Sequence, residues 1–274
     1  MSRILTEIKK CMKAVLTRQP KCRTVYIPVL QTELLKGRRA LVTGGTSGIG
    51  FAIAEAFLSA GAKVVITGRN GFRLDSAKER LSKNGSVETL QLDNAAPETF
   101  AVALDQIGSF DILVNNAGYV GGGVFGDTML EEYDKVLDTN LRGAYFLSQE
   151  VSKRWIKESV QGNILNVCSA SSLRPGNSPY ILSKWGLRSL TVGMACDLVK
   201  YGIVVNGIAP GITNTERFCK SEDDISFAPN PSGRMVTVQE IANLAVVMVS
   251  SLARMVVGDI LFVTGGGAIT TLDD

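Results

Sequence analysis

The chain of 274 residues contains no histidine. That removes the commonest metal ligand and the usual side-chain proton carrier of enzymes in one stroke. Cysteine is scarce: Cys11, Cys22, Cys168, Cys196 and Cys219 are odd in number and show no C-x-x-C spacing. They read as reduced thiols, neither a disulfide framework nor metal ligands, so no metal site is expected. No apolar run approaches the ~18 residues of a membrane span. The first residues also lack the continuous apolar core of a secretory signal. A basic excess in the body of the chain is missing too. The net charge of +3 arises in residues 1–36, where eight Lys or Arg face two acids; the remainder has 21 basic against 24 acidic residues. Nucleic acid is therefore not an expected partner, and a cytoplasmic location is the expected one.

What the chain does have is apolar material and glycine: 45% hydrophobic residues and 28 glycines. Residues 2–17 place Ile4, Leu5, Ile8, Cys11, Met12, Val15 and Leu16 at helical spacing, with lysines on the other face. Pro20 and Pro28 break the pattern. Residues 1–35 thus read as a basic amphipathic helix and linker, and residues 36–274 as one main domain. The helix is expected to pack on the body or on a second subunit; attachment to a membrane surface is the alternative use of such a face. From Arg38 onward, short apolar runs (RRALVT, KVVIT, VETLQL, DILVNN, GNILNVCS, IVVNGIA, DILFVTGG) alternate with helical segments. Apolar strands without strict alternation, each followed by a helix, predict an α/β fold. It is Rossmann-like and doubly wound, with about seven parallel strands and helices on both faces.

RRALVTGGTSGIGFAIAEAF runs strand, glycine turn, helix, with Gly44, Gly48 and Gly50 at the key positions. Such a turn aims free backbone N–H groups and the positive end of a helix at one point, which suits a pyrophosphate. Glycine permits the close approach. The next strand ends VVITGRN. Where an acid would bond the ribose hydroxyls of NAD, this chain has Gly68 and then Arg69. A guanidinium there can pair with a 2′-phosphate, so NADP(H) is the expected cofactor.

SPYILSKWG places Tyr180 and Lys184 four apart on a predicted helix. A free tyrosine titrates near pH ~10. An ammonium one turn away favours the phenolate, so such a pair can do proton work that histidine usually does.

TGGTSGIG, then NNAG (115–118), TNLRG, YILSK, APGITNT and the closing VTGGG strongly resemble, in this order, the short-chain dehydrogenase/reductase family. The resemblance runs from Lys36 to about residue 270. It implies hydride exchange between a nicotinamide and a ketone or secondary alcohol, and a homo-oligomer, dimer or tetramer. It implies four catalytic residues: Asn140 holding a relay water, a serine, Tyr180 and Lys184. It further implies cofactor contacts from Thr46, Ser47 and Ile49 of the turn and from Asp93 beside the adenine with Asn94. Asn115, Ala117, Gly118, Pro210, Gly211, Ile212 and Thr215 complete that set, together with Tyr180 and Lys184. The family's serine usually lies ~13 residues before the tyrosine, but Val167 stands there. Reading NVCS against the usual strand end assigns Ser169, with a loop two residues shorter; Ser171 is the other candidate. The chain resembles carrier-protein reductases generally, yet Cys196 stands where those often have an Arg, which argues against a dedicated carrier-protein role. Two other readings remain open at this point. One is an NADP-binding sensor or scaffold with weak turnover. The other is a sugar-nucleotide epimerase or dehydratase. The substrate is expected to meet GYVGGGVF, SASSLRPGNSP and the segment from Asn214 to about Gly233.

Overall fold

The core is split by the alternation of side chains along each strand. In β1 (Arg39–Val42), Ala40 and Val42 face one layer and Leu41 the other. In β2 (Lys63–Gly68), Val64 and Ile66 oppose Val65. In β4 (Ile112–Asn115), Ile112 and Val114 oppose Leu113. Every one of these is buried, so both faces of the sheet need cover, as parallel strands require. The computed structural model describes residues 33–215 and 224–267, and the N-terminal helix expected over residues 2–17 lies outside them.

Cover on the first face comes from α1 (Gly48–Ser59), α2 (Gly71–Leu81) and α7 (Val238–Val249), whose Phe57, Leu81 and Ile241 are fully buried. On the second face lie α3 (Phe100–Asp105), α5 (Gly143–Glu158) and α6 (Pro179–Leu198), contributing Phe100, Leu147 and Trp155. Helix α4 (Leu130–Leu137) runs into α5 through a π turn, Asp138–Arg142. The remaining strands are β3 (Val87–Gln91), β5 (Asn163–Val167), β6 (Val204–Pro210) and β9 (Ile260–Val263), with a separate two-residue pair β7 (Thr213–Asn214) and β8 (Val236–Thr237). The sheet order is β3-β2-β1-β4-β5-β6-β9, all parallel. All seven apolar runs read from the sequence are in it.

Strand order reverses between β1 and β4. In open sheets of this kind the carboxyl ends of the strands diverge at such a point and leave a crevice. Far from it, at the opposite strand ends, Arg38 bonds Asp111 and donates to Asn163 Oδ1 at 2.9 Å, tying β1, β4 and β5 together. None of the helices described is long and apolar enough to cross a membrane.

Candidate active site

The glycine turn after β1 is latched to the end of β4. Thr43, fully buried, donates from Oγ1 to Val114 O at 3.1 Å and accepts from the amides of Asn116 and Ala117 at 2.9 and 3.0 Å. Asn116 donates from Nδ2 to Thr43 O and Gly44 O at 2.9 and 3.2 Å. This crowding explains the glycines. Gly44 has φ +63°, and a Cβ there would lie 2.9 Å from Ala117 Cα. A Cβ on Gly50 would lie 2.3 Å from Asn116 Nδ2 and 2.4 Å from Gly44 O. Gly48, at φ +56°, opens α1, and Ser47 before it makes no side-chain cap, so the first amides of the helix are not taken up by a protein side chain.

A cavity of about 760 Å³ lies over this turn. Gly44, Thr46, Ser47, Ile49 and Gly50 form its floor; Arg69, Asp93, Asn94, Ala117, Gly118 and Thr215 stand around it. A dinucleotide fits these residues on three observations: the uncapped helix start, the glycine contacts, and Asn94 Nδ2, a buried donor without a partner. Sequence reasoning missed Asn70, Arg73, Asn116, Tyr119 and Thr139, which also line the cavity. It named Asn115 instead of its neighbour. Asn115 turns inward, donating from Nδ2 to Ser148 Oγ and Asn166 Oδ1, both at 2.8 Å. Pro210 and Gly211 lie at the end of β6, and Ile212 is exposed just beyond; none of the three lines the cavity.

Gly118 is where the cavity meets the other predicted residues. A Cβ on it would lie 3.5 Å from Asn140 Oδ1 and 3.9 Å from Lys184 Nζ. Asn140 sits in the π turn, where Gly143 N reaches back to Asp138 O; the extra residue of such a turn leaves the regular carbonyl ladder interrupted. Its carboxamide accepts from Tyr119 N at 2.6 Å and donates to Tyr119 O and Ser183 Oγ at 2.9 and 3.0 Å. Gly143 must be small, because a Cβ would lie 2.2 Å from Asn94 O. Lys184 is 5% exposed and donates to Val167 O at 2.9 Å. Its Nζ lies 5.9 Å from the centre of the half-buried Tyr180 ring, one helical turn back. Pro179 at the first helical position and Ser178, whose side chain accepts from Ile181 N, start α6 just before Tyr180.

Ser169 caps the 3-10 turn Ala170–Leu173, its Oγ accepting from Ser171 N at 3.1 Å. Ser169 is 8% exposed; Ser171 is half-buried. Next to it, burial pushes the Cys168 thiol up, and the Lys184 ammonium opposes that only in part; the side chain is buried in the core. At the rim, Tyr119 Oη donates to Glu132 Oε2 at 3.1 Å. Tyr119 and Glu132 together hold the Lys135 ammonium above its usual value, with Tyr119 the larger influence. Of the loops expected to meet substrate, the glycine-rich one docks on α6. Phe125 N donates to Asn177 O at 2.9 Å, and a Cβ on Gly122 would lie 2.9 Å from Pro179 Cγ.

A parallel sheet with a dinucleotide-sized crevice at its switch point, and a buried lysine one turn from a tyrosine beside it, define a nicotinamide-linked oxidoreductase. The short chain dehydrogenase family matches residues 38–226, and the chain belongs to it; it is an oxidoreductase acting on a CH–OH or C=O group. Gluconate 5-dehydrogenase of Gluconobacter oxydans (strain 621H) is 35% identical over 244 residues, covering 85% of this chain and 95% of the relative. The 3-oxoacyl-[acyl-carrier-protein] reductase FabG of Aquifex aeolicus (strain VF5) is 32% identical over 243 residues, covering 85% and 98%. Among solved structures, a gluconate 5-dehydrogenase from Burkholderia cenocepacia J2315 in complex with NADP and tartrate superposes with a TM-score of 0.79. It is 32% identical, and the match covers 88% of this chain and 99% of that one.

Proposed function

We propose that the chain is an NADP(H)-dependent reductase of a ketone, or dehydrogenase of the matching secondary alcohol, with Tyr180 as general acid/base. The observation that carries the reading is the junction at Gly118, a cavity-wall residue with Asn140 and Lys184 directly behind it. NADP in the structure of the gluconate 5-dehydrogenase relative supports the cofactor. So does the rim of this cavity, where exposed Arg69 and Arg73 stand and no acid follows β2.

Bound in the cavity, the nicotinamide would give or take the hydride. The rest is the work of this chain. Ser169 donates a hydrogen bond to the substrate oxygen. Tyr180 passes its proton to that oxygen in reduction and takes one in oxidation. Lys184 places its ammonium one turn away, 5.9 Å from the centre of the Tyr180 ring, and also serves the ribose. Asn140, clamped between Tyr119 and Ser183, holds the π turn whose interrupted ladder can keep a relay water. The catalytic domain begins near residue 36 and the protein works in the cytoplasm. Exposed Tyr145, Phe146, Leu182 and Val192 on α5 and α6 support a homo-oligomer.

The test is NADPH oxidation by the purified protein across β-keto thioesters, ketogluconates and ketosteroids, with Tyr180→Phe alongside. The expected result is turnover of at least one ketone that falls ~10²–10⁴-fold in the variant while NADPH affinity holds. Near-normal kcat in Tyr180→Phe would refute the mechanism. NADPH binding without turnover of any ketone would favour a sensor or scaffold instead.

A further inference from the structure

The short loop after β5 is not self-supporting. Its 3-10 turn has four residues, too few to hold a geometry by backbone bonds alone. What holds it is α6. Arg188 donates from Nη1 to Ser172 O at 2.7 Å, and Trp185 donates from Nε1 to Arg174 O at 3.0 Å. Ser172, fully buried, passes the restraint on: its Oγ and its amide both donate to Ser169 O, at 2.7 and 3.0 Å. The Arg188 guanidinium is itself fixed, 5.5 Å from the ring centres of both Trp185 and Phe262 of β9. Beyond it, Arg174 donates from Nη2 to Gly267 O at 2.8 Å, so the far end of the loop is tied as well.

Tyr180, Lys184 and Arg188 are spaced by four along one helix and share a face. We infer that Arg188, assisted by Trp185, is a positioning residue that sets Ser169 relative to Tyr180, by stapling the shortened serine loop to the helix that carries the proton donor. The inference rests on the proposed role of Ser169. Neither side chain needs to touch substrate. Arg188 acts on one carbonyl, Ser172 O, and through Ser172 on the backbone of Ser169. A serine that must donate to a substrate oxygen is sensitive to such placement, since a shift of about 1 Å in a positioned group costs ~10²-fold.

The experiment is a double-mutant cycle on the full chain, reading kcat for NADPH-dependent reduction of ethyl acetoacetate and a ketogluconate. NADPH affinity by fluorescence and amide exchange at Ser172 are read alongside. Arg188→Met should lower kcat ~10- to 100-fold, leave NADPH affinity unchanged and speed Ser172 exchange. Arg188→Lys should recover part of the loss, and Trp185→Phe, which removes the N–H donor to Arg174 O and shrinks the ring beside Arg188, should cost ~3-fold. In a Ser169→Ala background, Arg188→Met should cost little more, because the two changes then act on one interaction. An equal loss in both backgrounds would show a merely structural role and overturn the inference. So would unchanged Ser172 exchange, or full kcat in Arg188→Met while Ser169→Ala is crippled. Full kcat in Ser169→Ala would instead count against the proposed function. So would absence of turnover by the unmutated chain, and the exchange measurement would then decide the staple alone.

Discussion

Two glycine-to-alanine changes separate the cofactor turn from ordinary helix. In Gly50→Ala the new methyl carbon would start 2.4 Å from Gly44 O and 2.3 Å from Asn116 Nδ2. Ordinary contact needs more than 3.4 Å, so a gap of about 1 Å must open. Gly44 O is backbone, and Asn116 Nδ2 is the donor that latches β4 to the turn, so neither can yield without moving the floor of the cavity. The overpacking should cost about 1–3 kcal/mol of stability. Half of that expressed as a displaced turn would weaken NADPH binding ~2- to 13-fold. Gly193→Ala is the control. It sits on the exposed side of α6, and a Cβ there meets nothing within 4 Å. Alanine is the better helix former, so it should stabilise by ~0.5–1 kcal/mol and leave NADPH affinity alone. Urea unfolding and a fluorescence titration with NADPH measure both quantities on each variant. Unaltered affinity and stability in Gly50→Ala would refute the argument that Gly50 is required by close approach.

Arg69→Ala should reduce the preference for NADPH over NADH by ~1.5–3 kcal/mol, about 10- to 150-fold in the ratio of kcat/KM; equal kcat/KM for both cofactors in the unmutated protein would sink the reading of the rim. Lys184→Met should weaken both NADPH binding and turnover, and loss of turnover alone would remove its ribose role. The Arg234 guanidinium, at 2.7 and 2.9 Å, holds the Glu240 carboxyl down to about 2 from its usual 4.5, helped by the Thr237 amide and opposed by burial. The folded value lies below the unfolded one, so Glu240 stabilises the fold above about pH 4.5, and that contribution fades as pH falls toward 2. The pair is 36% and 41% exposed, so the nominal shift is discounted to ~1 kcal/mol. Glu240→Gln should lose about that much at pH 7 and show a smaller acid-induced drop in urea midpoint; an unchanged drop would refute it.

The sheet was legible because each strand carries a run of β-branched and aliphatic residues bounded by glycine, asparagine or charge. Runs of that kind survive as strands when both faces are covered. The two-residue pair β7 and β8 carries no such run, and neither residue pair could have been read as a strand. Asn115 and Asn116 show a different limit. They are the same residue type side by side, and only the parity of β4 decides which one turns inward to Ser148 and which reaches Gly44. Counting alternation from buried Ile112 and Val114 would have sent Asn116 to the glycine-turn side, a signal present in the sequence but easily overlooked. Arg73 could have been found as well, since the third residue of a helix capped by Asn70 faces the same way as the cap. The contact of Arg188 with Ser172 could not. It joins residues 16 apart across a loop, and no period connects them.

A chain without histidine must place any proton donor by other means, and the donor proposed for it, Tyr180, rides on a helix held at several points. A buried ammonium is costly unless paired, and Lys184 is held by a single carbonyl, Val167 O, from the strand that leads into the serine loop. The same helix face fixes that loop again through Arg188. Asn140 ties the helix to the strand end that borders the cavity, through Ser183 on one side and Tyr119 on the other. Helix α6 is therefore fastened at three levels to β4, to β5 and to the serine loop, and Tyr180 stands at its first turn. Histidine brings a suitable proton affinity with it wherever it is placed. A tyrosine proposed as proton donor depends on how its helix is held, so the proposed role of Tyr180 makes the fastening of α6 part of the proposed site.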